Sequence, residues 1–210
     1  MKAGHRKTVH TPLARSELPI NTAALARFLI GKLLVRELPE GFASGRIVET
    51  EAYVIGDAAG HAYRGMTPRN RALFLEPGHA YVYLAYGLST MLNVSSETPG
   101  IGAGVLIRAL EPLEGIAIMQ RNRRTERLRD LARGPGRLAQ ALRIDRSLDG
   151  LDLCQEGPLW LARDGHDPGE VGEREIGESV RIGISRDADR VLRFYVRGSP
   201  FVSGASSLNE

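Results

Sequence analysis

The stretch RIVETEAY, Arg46–Tyr53, puts two carboxylates and a tyrosine at alternate positions of a strand-like run. Successive side chains of a strand point to opposite faces. Glu49, Glu51 and Tyr53 are therefore expected on one face, with Val48, Thr50 and Ala52 on an apolar back. His61 follows in a loop. Three chemistries compete for such a pair. Both glutamates could face solvent from an edge strand. Glu49, Glu51 and His61 could hold a metal, although no HExxH spacing or acidic ligand cluster supports it. A carboxylate ionised at neutral pH could also orient and deprotonate water as a general base.

A second group of residues bears on the choice. In AYVYLAYG, Tyr81 and Tyr83 share one strand face, and Tyr86 stands beside Gly87 at the expected tip of a hairpin. Hairpin tips are normally polar, and an aromatic there can wedge into a base stack. Other tyrosines can sandwich an extruded base, which contributes about 1–3 kcal/mol per base. Asn93 brings an amide to an otherwise apolar return strand and can read a base edge. Arg108 interrupts the apolar run AGVLIRAL, and a lone strand arginine ordinarily points outward.

These residues need elements to hold them. Asn21 reads as the cap of a helix continuing through TAALARFLIGKLLVREL and ending at Pro39. Arg46–Tyr53 reads as a strand, Val54–Thr67 as a loop, and TPRNRALFLEPG as a short helix between two prolines. His79–Ser96 is a hairpin candidate and Ala103–Pro112 a strand closed by its proline. Leu113 to about Leu131 reads as a basic helix, Gly134–Leu142 as a turn leading into another, and Ala162–Gly177 as loop. Ser179–Ser185 and Val191–Gly198 read as two final strands. Strands and helices do not alternate regularly, so the expected fold is one α+β domain with a largely antiparallel sheet.

The 210 residues suit one domain with a real core. No apolar run approaches a membrane span. The start, MKAGHRKTVHTPLARS, reads as a basic, disordered tail over residues 1–16, with the folded domain at 17–210. The single Cys154 excludes an intrachain disulfide and fits a reducing cytoplasm. The net charge is only +3, but seven arginines fall between Arg121 and Arg137, opposed by Glu126 and Asp130. Arginine forks onto phosphate, so nucleic acid is a candidate partner, against the alternative of a solvated helix face.

RIVETEAY, TPRNR, YVYLAYG, MLNVSS, VLIRALEPLEG and RFYVRGSP, in that order from about Leu18 to Ser203, together closely resemble the alkyladenine (3-methyladenine) DNA glycosylase family. The resemblance implies a compact domain whose curved antiparallel sheet is flanked by helices, with a protruding β-hairpin that enters the DNA minor groove. By motif, Glu51 matches the catalytic base, and Arg108 the arginine that helps hold the attacking water. Tyr53, His61 and Tyr83 match residues that stack on and hydrogen-bond the flipped base. Asn93 matches the asparagine that screens guanine, and Tyr86 the intercalating wedge. The Ile182 carbonyl is a further candidate ligand of the water, and Glu49 is expected to be structural. Arg69, Arg123, Arg124 and Arg137 are expected on the DNA backbone.

The implied activity is that of a monofunctional DNA glycosylase. It would act on 3-methyladenine, 7-methylguanine, hypoxanthine or ethenoadenine in double-stranded DNA. It would be a nucleoid-associated monomer needing no cofactor or metal. A non-catalytic damaged-DNA binding module is the alternative.

Overall fold

The computed structural model describes residues 10–85, 87–163 and 175–205. Tyr86, the first nine residues and most of the Ala162–Gly177 segment lie outside them. Among the described residues eight strands form one antiparallel sheet: β1 (Leu33–Leu38), β2 (Gly41–Tyr53), β3 (Ala80–Ala85), β4 (Ser89–Ser95), β5 (Gly104–Glu114), β6 (Leu159–Ala162), β7 (Ile176–Val180) and β8 (Val191–Val196). The spatial order is β3-β4-β5-β2-β1-β6, with β8 pairing both β2 and β7. The short helices α1 (Thr22–Leu29), α2 (Ile116–Arg123) and α3 (Pro135–Ala141) pack around it. The α+β fold with a curled antiparallel sheet is as expected.

β2 organises the sheet. Its first half pairs with β1, its second half with β8, and its other edge with β5. The glutamates of β2 therefore lie on an interior strand, not at an edge. Opposite them the β2–β5 register slips: Ile47 faces Leu110, Glu49 faces Ala109, and Thr50 faces Ile107. Val48 and Arg108 are left without a facing residue. Such bulges re-aim side chains. Ile47 and Ala52 both join the main core, whereas Val48 packs with Ala109, Tyr195 and Val202 in a separate cluster. The apolar back expected at Val48, Thr50 and Ala52 is thus corrected at Val48. Thr50 stays on the α1 side, its hydroxyl donating to the Ala26 carbonyl at 2.9 Å.

Several expected elements differ. Asn21 does cap α1, accepting from the Ala24 amide at 3.0 Å, but the helix stops at Leu29 and Leu33–Leu38 is strand. Gly31 at φ 85° breaks the helix there. The basic helix is also shorter. α2 ends at Arg123, its capping residue Arg124 takes the left-handed conformation at φ 53°, and the rest of the expected helix holds a 3₁₀ turn at Leu128–Asp130. β5 passes through Pro112 to Glu114, with the proline beside a register shift. TPRNRALFLEPG holds a 3₁₀ turn at Arg71–Phe74. β7 lies at Ile176–Val180, earlier than expected, and β6 was not foreseen.

Residues 10–16 also differ from the expected tail. Leu13 is fully buried, its amide bonded to the Leu161 carbonyl, and His10 meets Glu114 at 2.6 Å. Among the described residues no helix is long and apolar enough to cross a membrane.

Candidate active site

A cavity of about 330 Å³ opens on the face of the sheet that carries Glu51 and Tyr53. Cross-strand register assembles its floor. Tyr81 faces Asn93, Asn93 faces Leu106, Leu106 faces Glu51, and Glu51 faces Arg193. Facing residues project to the same side of a sheet, so residues far apart in sequence form one row.

Glu51 is fully buried behind Tyr53, Arg108 and Ile182, all of which line the cavity. Its Oε1 accepts from the Ile182 amide at 2.7 Å and stands 3.2 Å from Arg108 Nη1. Its Oε2 accepts from the Tyr53 hydroxyl at 3.0 Å. Burial, and then the Glu51 charge, push the Tyr53 pKa far above the ordinary phenol range, so the hydroxyl remains a donor. The carboxylate is fixed in direction, while Oε2 retains acceptor capacity for a small molecule. The sequence singled out the Ile182 carbonyl; the contact seen here is made by its amide.

Glu49 is engaged differently. Arg108 Nε and Arg193 Nε donate to its Oε1 at 2.9 and 2.7 Å. Ser203 adds its amide to Oε2 at 2.7 Å and its hydroxyl to Oε1 at 2.9 Å. Burial would raise the Glu49 pKa, but the Arg108 and Arg193 charges outweigh it and hold the carboxyl below its usual range. Burial would likewise lower the Arg108 pKa, and Glu51 and Glu49 reverse that to a net rise. Two carboxylates and two guanidiniums thus neutralise one another inside the sheet, a condition for burying charge at all. Neither glutamate faces solvent, and Arg108 points inward. Among the described residues no three His, Cys, Asp or Glu side chains gather where they could hold a metal ion.

Aromatic rings form the opposite wall. Tyr81 and Tyr83 stack with centroids 5.1 Å apart, and the His61 ring meets Tyr83 edge-on at 4.5 Å. His61 Nδ1 lies 2.9 Å from the Tyr81 hydroxyl. Burial, and then Arg69, lower the His61 pKa and favour the neutral imidazole. Burial, and then Tyr81, push the Tyr83 pKa up to about 12. Asn70 ties the His61 loop down by donating to the His61 and Gly65 carbonyls at 2.9 and 3.1 Å. Asn93 is buried at the floor; among the described residues its Nδ2 has no partner at full hydrogen-bonding geometry, although it lies near enough to the Tyr83 hydroxyl to draw that group's pKa down somewhat. A buried donor of that kind costs about 1–3 kcal/mol until an acceptor arrives.

Glu51, Tyr53, His61, Tyr83, Asn93 and Arg108 therefore converge. Arg69 joins them, its guanidinium 5.9 Å from the Tyr83 centroid at the cavity wall. Arg123, Arg124 and Arg137 lie elsewhere, around α2 and α3. Arg123 donates to the Leu131 carbonyl at 3.1 Å and to Gln140, and Arg137 meets Asp130 at 3.2 Å. Arg124 is exposed; its amide donates to the Gln120 carbonyl, and its side chain makes no hydrogen bond or ion pair among the described residues. α3 nonetheless abuts the hairpin. A Cβ on Gly136 would stand 2.9 Å from Ser89 Cβ, and Pro135 lines the cavity.

Sequence reasoning missed Arg181, Asp57, Arg193 and Ser203. Arg193 stood in a quoted motif, RFYVRGSP, and its place beside Glu49 follows once β8 is paired with β2. Nothing in the spacing of Arg181 and Asp57 pairs them.

The family model for methylpurine-DNA glycosylase (MPG) matches residues 17–200. A Mesorhizobium japonicum protein named "Putative 3-methyladenine DNA glycosylase" is 78% identical over 201 residues, covering 96% of this chain and 94% of that protein. A Paraburkholderia phytofirmans protein of the same name is 53% identical over 197 residues, covering 94% and 90%. The human "DNA-3-methyladenine glycosylase" is 46% identical over 194 residues, covering 85% of this chain and 63% of the human one. With the family model matched over residues 17–200 and a relative 78% identical across nearly the whole chain, this protein belongs to the methylpurine-DNA glycosylase family.

Proposed function

We propose that the protein is a monofunctional DNA glycosylase that extrudes alkylated or deaminated purines from duplex DNA and hydrolyses their N-glycosidic bond with water activated by Glu51. The observation that carries this reading is the Glu51 carboxylate, held by Ile182 N–H, Arg108 and Tyr53 O–H at the head of the aromatic cavity. A cavity of about 330 Å³ lies at the low end of the ~300–1,000 Å³ of small-molecule sites. That suits one base better than a dinucleotide.

The flipped base stacks between Tyr53 and the His61–Tyr83 wall, and Asn93 Nδ2 donates to an acceptor on its edge. As the base departs, oxocarbenium character develops on the deoxyribose, and the Glu51 carboxylate stabilises it. The water oxygen bonds to C1′, the C1′–N bond breaks, and Glu51 takes the water's proton. A cationic alkylated purine leaves as a neutral base. A neutral lesion needs a proton on its leaving nitrogen, and no side chain is assigned that role.

Removing a base from the stack costs a few kcal/mol, least for damaged or mispaired bases. The hairpin β3–β4 is read as the element entering the minor groove, with Tyr86 filling the vacated space. Exposed arginines near α2 and α3 are read as phosphate contacts that carry no sequence information. The enzyme is read as a monomer without lyase activity. Lys32, the one described lysine, holds its Nζ 4.9 Å from the Phe28 centroid and does not line the cavity.

The test is incubation with duplexes bearing hypoxanthine, ethenoadenine or 3-methyladenine, followed by alkali to cut abasic sites. Alkali-labile product from lesion duplexes and none from undamaged ones is expected. Tight lesion binding with no released base would favour a non-catalytic binding module.

A further inference from the structure

Beneath the cavity lies an ion pair that the chemistry above does not use. Arg181 and Asp57 are both buried, and their side chains are wholly inaccessible. The pairing is two-pronged: Arg181 Nη1 meets Asp57 Oδ2, and Nη2 meets Oδ1 at 3.1 Å. The same nitrogens donate to two carbonyls, Ala52 at 3.0 Å and Asp187 at 3.1 Å. The guanidinium carbon stands 4.7 Å from the Tyr53 centroid. Tyr53 lines the cavity and Arg181 does not, so the guanidinium backs the ring and leaves the other face open. Asp57 also organises its own loop by accepting from the Ala59 amide at 3.0 Å, while Asp187 accepts from Ala58 at 2.8 Å.

Every group this pair touches adjoins the site. Ala52 sits between Glu51 and Tyr53. Arg181 precedes Ile182, whose amide orients Glu51. The two loops it joins, around residues 54–60 and 182–187, form one side of the cavity. Only a planar fork reaches two carboxylate oxygens and two carbonyls at once; a lysine presents a point charge.

We propose that the Arg181–Asp57 pair is a positioning unit of the active site. It holds the Ile182 amide on Glu51 and the Tyr53 ring against the flipped base, and so sets the direction of the general base. It rests on the reading of Glu51 given above. A misplacement of about 1 Å at a reacting group can cost about 100-fold in rate.

The test uses the full chain and the variant Arg181→Lys, with Asp57→Asn as the second variant should the first not fold. Single-turnover release of ethenoadenine is measured beside affinity for a duplex with a stable abasic site, which engages the wedge and phosphate contacts but places no base in the cavity. The expected result is a rate lowered by about 10–100-fold with unchanged abasic-site affinity. In Glu51→Gln the added Arg181→Lys change should lower the residual rate by less than it lowers the wild-type rate, because the part acting through Glu51 is already lost and such effects are not additive. A wild-type rate in Arg181→Lys, or parallel loss of rate and abasic-site affinity, would overturn the proposal. An additive loss in the double variant would do the same. If Glu51→Gln itself released base at the wild-type rate, the reading of Glu51 would fail, and this proposal with it.

Discussion

Arg108 Nη1 stands 3.2 Å from Glu51 Oε1, from a β5 position with no facing residue on β2. The bulge aims the guanidinium between the carboxylates of Glu51 and Glu49 and gives them different partners. Glu51 is held by Ile182, Arg108 and Tyr53, which themselves line the cavity. Glu49 is enclosed by two arginines and Ser203. Two glutamates that look equivalent in RIVETEAY thus have different surroundings, one held beside cavity-lining groups and the other locked in an ion network.

Glu49→Gln should destabilise the fold by about 3–5 kcal/mol, the usual cost of breaking a buried ion pair from one side. The pH dependence has a definite sign. Because the folded Glu49 pKa is depressed, the unfolded chain binds the proton more readily. The stabilisation is therefore full above the unfolded value of about 4.3 and is lost as pH falls through the folded pKa. Urea unfolding of wild type and variant at neutral and acidic pH checks this; the gap between them should narrow in acid.

Tyr86→Ala should weaken excision from stable duplex by about 1–3 kcal/mol if stacking sets its role, and should affect single-stranded DNA less. Comparing single-turnover rates on the two substrates measures it. Equal losses on both would assign Tyr86 to folding alone.

Duplex affinity should fall with salt, and Arg124→Gln with Arg127→Gln should flatten the log–log slope by about 0.9 for each lost phosphate contact. Arg123→Gln should act more on stability, because Arg123 ties α2 to the Leu131 carbonyl and to Gln140. Titrations across a salt series, with urea melts, separate the two effects.

Borohydride added during turnover should trap no protein–DNA adduct. A lyase attacks C1′ through an amine and passes through a Schiff base, and Lys32 lies against Phe28, away from the cavity. A strong trapped band, lost in Lys32→Ala, would show that the mechanism has an amine nucleophile.

Much of the site was legible because strand alternation is local. Glu49, Glu51 and Tyr53 share a face as their spacing predicts, and Tyr81 stacks on Tyr83 for the same reason. What was hidden depends on register. The bulge that moves Val48 into a different cluster has no signal in an apolar run. Leu33–Leu38 read as helix because Leu33, Leu34 and Val35 are all buried, which erases the alternation that marks a strand. Leu113 to about Leu131 read as one basic helix, since arginine suits helices, yet Arg123 and Arg129 are spent on the carbonyls of Leu131 and Pro200, as Arg133 beyond them is on that of Val202. Arg181 and Asp57, 124 residues apart, meet only once the sheet has closed.

In the proposed function Glu51 is the base that activates water. The most direct measurement is single-turnover base release by Glu51→Gln from a hypoxanthine or ethenoadenine duplex, with lesion affinity measured alongside. The glutamine keeps volume and hydrogen bonding but cannot take the proton. Retained binding with a rate lowered by at least about 100-fold, the lower range for general-base catalysis, is the expected result. Release at near the wild-type rate by Glu51→Gln, with loss of activity in Glu49→Gln instead, would contradict it.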